Sequence, residues 1–207
     1  VIQMQRKTLE RDEKEDRVVW SCGGGGGTNF RSSKYYEHCF SRVQAYQIFG
    51  LIWKTKCTMQ WKVFLWLLLA DRLNTRNMLR RRHFRIQNDN YACLLCNQPP
   101  EEDIAHLFFA CPFSQRCWAA LGIHWPNDPD WIKMVHEGKS RWTRPMFLEV
   151  FTVAAWGIWK ERNDKHFRGI QPSFDSWRGR FKKDFAMLAH RARRELAPCI
   201  TSIVNLL

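Results

Sequence analysis

The stretch Cys93-Leu94-Leu95-Cys96, followed by Glu102-Asp103-Ile104-Ala105-His106-Leu107-Phe108-Phe109-Ala110-Cys111-Pro112, decides how this chain is read. Two residues separate the first cysteine pair, nine lie between Cys96 and His106, and four between His106 and Cys111. Two close thiolates grip one side of a tetrahedral ion, and the turn between lets an imidazole and a third thiolate close the other. Soft sulfur and nitrogen donors suit zinc, whereas magnesium and calcium want carboxylates. Four protein ligands fill the shell and leave no position for a catalytic water. The spacing predicts one structural zinc ion held by Cys93, Cys96, His106 and Cys111. A redox Cys-x-x-Cys pair would require neither His106 nor Cys111, and no strand-then-helix pattern surrounds it.

Working outward, the apolar block Trp61 to Ala70 is too uniform for periodicity to separate strand from helix, but its Leu, Trp and Ala content favours a buried helix. Before it, Val43, Tyr46, Phe49 and Trp53 recur at helical spacing, with Ser41 as the N-cap. After it, Thr75 caps a short helix from Arg76 to His83, with Met78, Leu79 and Phe84 on its inner side. Arg72, Arg76, Arg80, Arg81, Arg82 and Arg85 give that segment a basic outer face with no acidic residue among them. A helix is expected over 112–121, a loop over 127–144, and a helix from Pro145 to Phe167 with one apolar face. Phe174, Trp177, Phe181, Phe185, Leu188, Ala192 and Leu196 then predict one long amphipathic helix that ends at Pro198 and carries Lys182 and Lys183 among its cations.

The N-terminal part is polar. Five basic and five acidic side chains lie between Arg6 and Arg17, and Gly23 to Gly27 form a run with too little side chain to pack. No Lys-Ser or Lys-Thr follows the glycines, so a phosphate-binding loop is not supported. The longest apolar run, Val63 to Ala70, is far short of the roughly 20 residues a membrane span needs, so no transmembrane segment is expected. The start of the chain lacks the apolar core of a signal peptide. With eight cysteines, three of them in the His106 cluster and five scattered, a reducing, intracellular setting is expected.

Several pieces together resemble the reverse-transcriptase zinc-binding domain of plant non-LTR (LINE-type) retroelement proteins. They are Asp16-x-x-x-Trp20, Ile52-Trp53-Lys54, Lys62-Val63-Phe64-Leu65-Trp66, Arg72-Leu73-Asn74-Thr75, Leu79-x-Arg81-Arg82, the run from Cys93 to Pro112, and Trp118. The resemblance covers about residues 16 to 118, and Trp156-x-x-Trp159-x-x-Arg162-Asn163 resembles the region that follows the domain in such proteins. It implies the same four metal positions and gives Glu102 a supporting or capping role. Asp103 stands where Thr or Ser is usual, which implies a weakened local cap.

Paired aspartates of a polymerase palm are missing, since no Asp-Asp occurs. Asp164, Asp175, Asp184 and Glu195 fall in helical context and read as surface charges rather than nuclease carboxylates. No hydrolase nucleophile sits in a recognisable turn. The chain therefore reads as a non-enzyme. Its formal net charge of +13 favours a polyanion. The expected function is a non-catalytic zinc-binding module of a retroelement-derived protein that binds RNA or DNA through Arg72, Arg76, Arg80, Arg81, Arg82, Arg85, Lys182 and Lys183. The alternative is a protein-interaction or structural remnant of a reverse-transcriptase polyprotein, motivated by the apolar Phe174–Leu196 face as a helix-mediated contact. The basic clusters suit a nuclear location.

The expected fold is mainly α: a small zinc-stapled helical domain followed by a C-terminal helical hairpin. Residues 1–34 read as a polar leader with a glycine-rich linker and 35–125 as the zinc-binding domain. Residues 126–144 read as a linker and 145–207 as a basic amphipathic helical region.

Overall fold

Threonines open two of the early helices, their hydroxyls accepting from backbone N–H groups of the first turn. Thr58 accepts from the Trp61 N–H and starts α2 (Met59–Leu69), while Thr75 accepts from the Met78 N–H and starts α3 (Arg76–Arg81). Ahead of them lies α1 (Gln47–Ile52), which packs on α2. The computed structural model describes residues 47–86, 89–96, 101–126 and 128–207. The polar leader, the glycine run, the Asp16 and Trp20 pair and the Ser41 cap lie outside the described residues.

Downstream come a wide π turn (His106–Ala110), α4 (Pro112–Ala120), α5 (Trp131–Arg141), α6 (Phe147–Arg168), α7 (Phe174–Ala186) and α8 (Ala197–Val204). Among the described residues the only β pairing is an isolated antiparallel bridge between Ala92 and Glu101. The fold is mainly α, as the sequence predicts, with its C-terminal helices joined as a hairpin. Among the described residues no helix is long and apolar enough to cross a membrane.

The 22-residue α6 is the centre of the packing, touching α2, α4 and α7. Because neighbours lie on several sides, Val150 to Ala155 are all buried in succession, not only one stripe. Aromatic rings knit it to the rest: Phe151 stacks on Trp118 of α4 at 5.2 Å, and Trp156 meets Phe64 of α2 edge-on at 5.1 Å. Gly169, at φ +68°, ends the helix in the left-handed conformation a glycine accepts most readily.

Three readings of the sequence are corrected. Residues 131–141 are helical, not loop. Asp130 caps them by accepting from the Lys133 N–H, and Trp131, Met134 and Val135 share the inner face. The segment from Phe174 is not one helix to Leu196. It leaves α geometry after Ala186, passes through 3₁₀ turns at Met187–His190 and Arg194–Leu196, and restarts with Pro198 in the first turn of α8. Beyond Leu188 the residues His190, Arg191, Arg193 and Arg194 offer little to bury, whereas Ile200 and Ile203 of α8 do. Phe84 is 61% exposed and does not anchor the inner side of α3.

Trp177, Phe181, Phe185 and Leu188 have no exposed surface, so the stripe read as a possible partner face is covered inside the chain. At Gly157 of α6 the Trp177 indole of α7 lies against the backbone. A Cβ built there would meet Trp177 Cδ1 at 2.8 Å and Nε1 at 2.9 Å, and the indole is held by its hydrogen bond to the Ala154 carbonyl. Gly157→Ala is expected to lower stability by about 1–2 kcal/mol in urea melts, because overpacking outweighs the roughly 1 kcal/mol gained in helix propensity.

Candidate metal centre

The four predicted ligands converge. The donor atoms of Cys93, Cys96, His106 and Cys111 all lie within 4.8 Å of one another. Cys93 Sγ is 3.9 Å from Cys111 Sγ, and Cys96 Sγ is 3.3 Å from His106 Nε2. A tetrahedral zinc with bonds of about 2.3 Å to sulfur and 2.0 Å to nitrogen has edges of about 3.8 Å and 3.5 Å respectively. The cluster therefore has the size and the donor chemistry of a closed metal site. Cys93 and Cys111 are fully buried, and Cys96 keeps some exposure. The thiols of Cys57 and Cys117 are buried elsewhere in the core and take no part.

The π turn is what brings His106 and Cys111 together. In an α-helix, residues five apart point about 140° away from each other. Here the Cys111 N–H donates to the His106 carbonyl at 2.6 Å, the i→i+5 bond that stacks the two positions. Side chains of α4 satisfy the carbonyls of the widened turn: Ser114 Oγ donates to Leu107 O at 2.5 Å, and Trp118 Nε1 to Phe108 O at 2.6 Å. Cys111 then serves as N-cap residue of α4, with Pro112 in the first turn.

Asp103 corrects an expectation. Its Oδ1 accepts from the His106 N–H at 2.7 Å, a strong cap at the residue read as a weakened one, since a carboxylate suits a helix start as well as a hydroxyl.

Glu102 does more than cap. Its side chain is fully buried, and Oε1 accepts from Arg162 Nε at 3.0 Å, Arg162 Nη2 at 2.7 Å and the Arg76 N–H at 3.1 Å. Oε2 accepts from the Leu94 N–H at 3.1 Å, inside the Cys93–Cys96 turn. One carboxylate thus joins the metal loop, the start of α3 and the middle of α6. Arg162 was not among the site residues read from sequence; its only signal was the Trp-x-x-Trp-x-x-Arg-Asn stretch. Trp159 lies beneath its guanidinium at 5.0 Å. Asp164 is likewise buried instead of a surface charge, paired with Arg180 at 2.9 Å.

The basic positions are mixed in their surroundings. Arg76 is half-buried and donates to the Ala92 carbonyl at 2.9 Å. Arg80 pairs with Glu101, Arg81 with Asp71 at 2.5 Å, and Arg82 with Asn74 at 3.0 Å. The absence of acids along the sequence is thus partly reversed in space. Arg72, Arg85 and Lys183 are exposed, and Lys182 is half-buried.

The Cys93 thiol is pushed up to about 12, first by the hydrogen bond it donates to Cys111 and then by burial. Cys111 is held below its ordinary value, chiefly by accepting that bond. His106 is held above its ordinary value by Cys93, against the pull of burial.

Arg162→Met leaves a buried carboxylate without its counter-charge, which is expected to cost about 3–5 kcal/mol in denaturant melts and to loosen metal retention. An unchanged melt would show that Glu102 is held by its backbone donors alone.

Comparison with known proteins adds the following. Residues 30–118 match the family model described as zinc-binding in reverse transcriptase, a non-catalytic family. A protein of Arabidopsis thaliana named "Putative ribonuclease H protein" is 24% identical over 188 residues, covering 86% of this chain. The chain spans 29% of that protein's length. No solved structure matches. Over residues 30–118 the chain carries a domain resembling the zinc-binding domain of reverse transcriptases, with a Cys₃His cluster able to coordinate a metal ion.

Proposed function

We propose that the chain is a structural zinc module of a retroelement protein, of plant non-LTR type, that holds nucleic-acid backbones through exposed basic side chains. The observation that supports the zinc assignment is the approach of three thiols and an imidazole to within 4.8 Å of one another. Bound zinc would supply no reaction. It would tie the 93–96 turn to the π turn and to α4, a link worth about 10–16 kcal/mol of apparent binding energy in small finger-like peptides.

The nucleic-acid part is supported by the +13 charge and by the kind of partners the arginines have. The Arg80–Glu101 and Arg81–Asp71 pairs are substantially exposed, and exposed pairs contribute about 0–1 kcal/mol, so a phosphate can displace them. A nuclear, intracellular setting follows from the same basic clusters and a nucleic-acid partner. The longer Arabidopsis relative is consistent with a polyprotein context.

A second reading, a protein-interaction role, is favoured by one observation. Met59, Val63 and Trp66 form an exposed apolar row at helical spacing on α2, with Trp53 also exposed. It predicts self-association or partner capture that Trp66→Glu abolishes.

For the metal, Cys96→Ser is expected to lower zinc content well below one per chain and to unfold the ligand loop, measured by metal analysis and amide exchange. The sign of the pH dependence follows from the thiols. Cys93 is protonated at neutral pH without metal, and zinc binds the thiolate, so loading releases protons and affinity falls as pH falls. Proton uptake or none on zinc addition in weak buffer would contradict the assignment.

For nucleic acid, replacing Arg80, Arg81 and Arg82 together by Gln is expected to flatten the log–log salt slope of binding by up to about three. A folded, zinc-loaded triple variant with unchanged affinity would remove this surface.

A further inference from the structure

Beside the metal loop lies a cavity of about 520 Å³ whose lining includes Arg76, Asn90, Leu94, Lys165, His166 and Gln171. It joins the start of α3 to the end of α6 and has no role in ligating the metal. Three of its side chains are basic, and none of its lining residues is acidic.

Arg76 shows what this cavity lacks. Its Nη1 donates to the Ala92 carbonyl, but its buried Nε has no acceptor. An N–H of a charged group left without an acceptor costs more than a neutral one. The nearest compensating carboxylate, Glu102, is already taken by Arg162 and two backbone N–H groups. Burial pulls the Arg76 guanidinium below its ordinary value; Glu102 opposes the shift and Arg162 adds to it. His166 is also held below its ordinary value, by burial and then by Arg162 and Arg76.

One effect opposes an anion. The cavity sits at the C-terminal end of α6, where the helix dipole is negative. That dipole amounts to about half a charge, less than the full charge of Arg76. A second feature identifies the kind of anion. Phe167, next to His166, is 75% exposed, the most exposed large apolar side chain among the described residues, and Ile170 is 51% exposed. The Phe167 ring lies 4.5 Å from the His166 ring that lines the cavity, and an exposed ring beside a cationic groove is the kind of stacking platform that single-stranded nucleic acids use.

We propose that this cavity seats a phosphodiester of a single nucleic-acid strand, with Arg76, Lys165 and His166 around the phosphate and Phe167 stacked on the neighbouring base. This rests on the nucleic-acid reading above and gives it a defined site. The strand enters between the metal loop and the end of α6, so the metal holds one wall of the site in place.

The test uses the full zinc-loaded chain with labelled oligo(U), a duplex DNA of equal length, and inorganic phosphate, across a salt series. The variants are Lys165→Gln with His166→Ala, and Phe167→Ala, each checked for zinc content and melting. Arg76 is left intact because it also supports the metal loop. The double variant is expected to bind oligo(U) about tenfold more weakly, with a salt slope shallower by about one. Phe167→Ala is expected to weaken oligo(U) about tenfold and leave duplex binding unchanged.

If the wild-type chain binds oligo(U) and both variants match it, the cavity assignment falls while the nucleic-acid reading stands. If the wild-type chain binds no nucleic acid, both fall. Saturable binding of inorganic phosphate that the double variant loses, without oligo(U) binding, would reassign the cavity to a small phosphate compound and overturn the strand proposal.

Discussion

A carboxylate with no exposed surface must find a counter-charge and several hydrogen-bond donors, and in this chain Glu102 finds all of them at once. Arg162 approaches it with two nitrogens, and the N–H groups of Arg76 and Leu94 occupy the remaining lone-pair directions. Three segments far apart in sequence are therefore fixed to one atom group: the metal loop, the start of α3 and the middle of α6. Such a pair adds little net stability over an apolar equivalent, but removing one partner is expensive. Its consequence here is placement. The Cys93–Cys96 turn is oriented by the hydrogen bond from the Leu94 N–H to this carboxylate.

The other half of the metal centre is oriented differently. His106 and Cys111 sit on opposite ends of a π turn, which Asp103 caps at the start and Ser114 and Trp118 brace from α4. A π turn inserted in a helix is uncommon and tends to mark functional positions. In this case its purpose is geometric: it brings two ligands five residues apart onto one side. The two donor pairs therefore approach one another from a loop braced by α6 and a turn braced by α4, and α4 and α6 pack on each other through Trp118 and Phe151. The central helix is thus part of the metal site's support, although it contributes no ligand.

Charge is organised on the same scaffold. A net +13 would suggest a uniformly cationic surface, yet several arginines are drawn inward or paired. Arg162 is neutralised by Glu102, and Arg180 by Glu161 and Asp164. Exposed, weakly paired arginines near α3 stay available, as do exposed cations elsewhere, among them Lys183, Arg191, Arg193 and Arg194. Weak pairs exchange readily with phosphates, whereas buried ones do not.

The local chemistry was legible in residue order alone. Cysteine and histidine spacing picked out the four side chains that cluster, the composition of Trp61–Ala70 and the Thr75 cap located two helices, and Pro and Gly bounded α6. These follow from short-range rules of ligand reach, capping and helical period. Tertiary contact decided the rest. Asp130 and Met134 made a helix of the segment read as loop, because its apolar face had a core to meet. The stripe after Phe174 stopped being helical near Leu188, because α8 supplied better apolar cover than the arginines that follow. Glu102 and Arg162 are 60 residues apart, and no local pattern joins them. Ligand identity is set by spacing along the chain, whereas the bracing of a site depends on which distant donors the packing brings to one buried carboxylate.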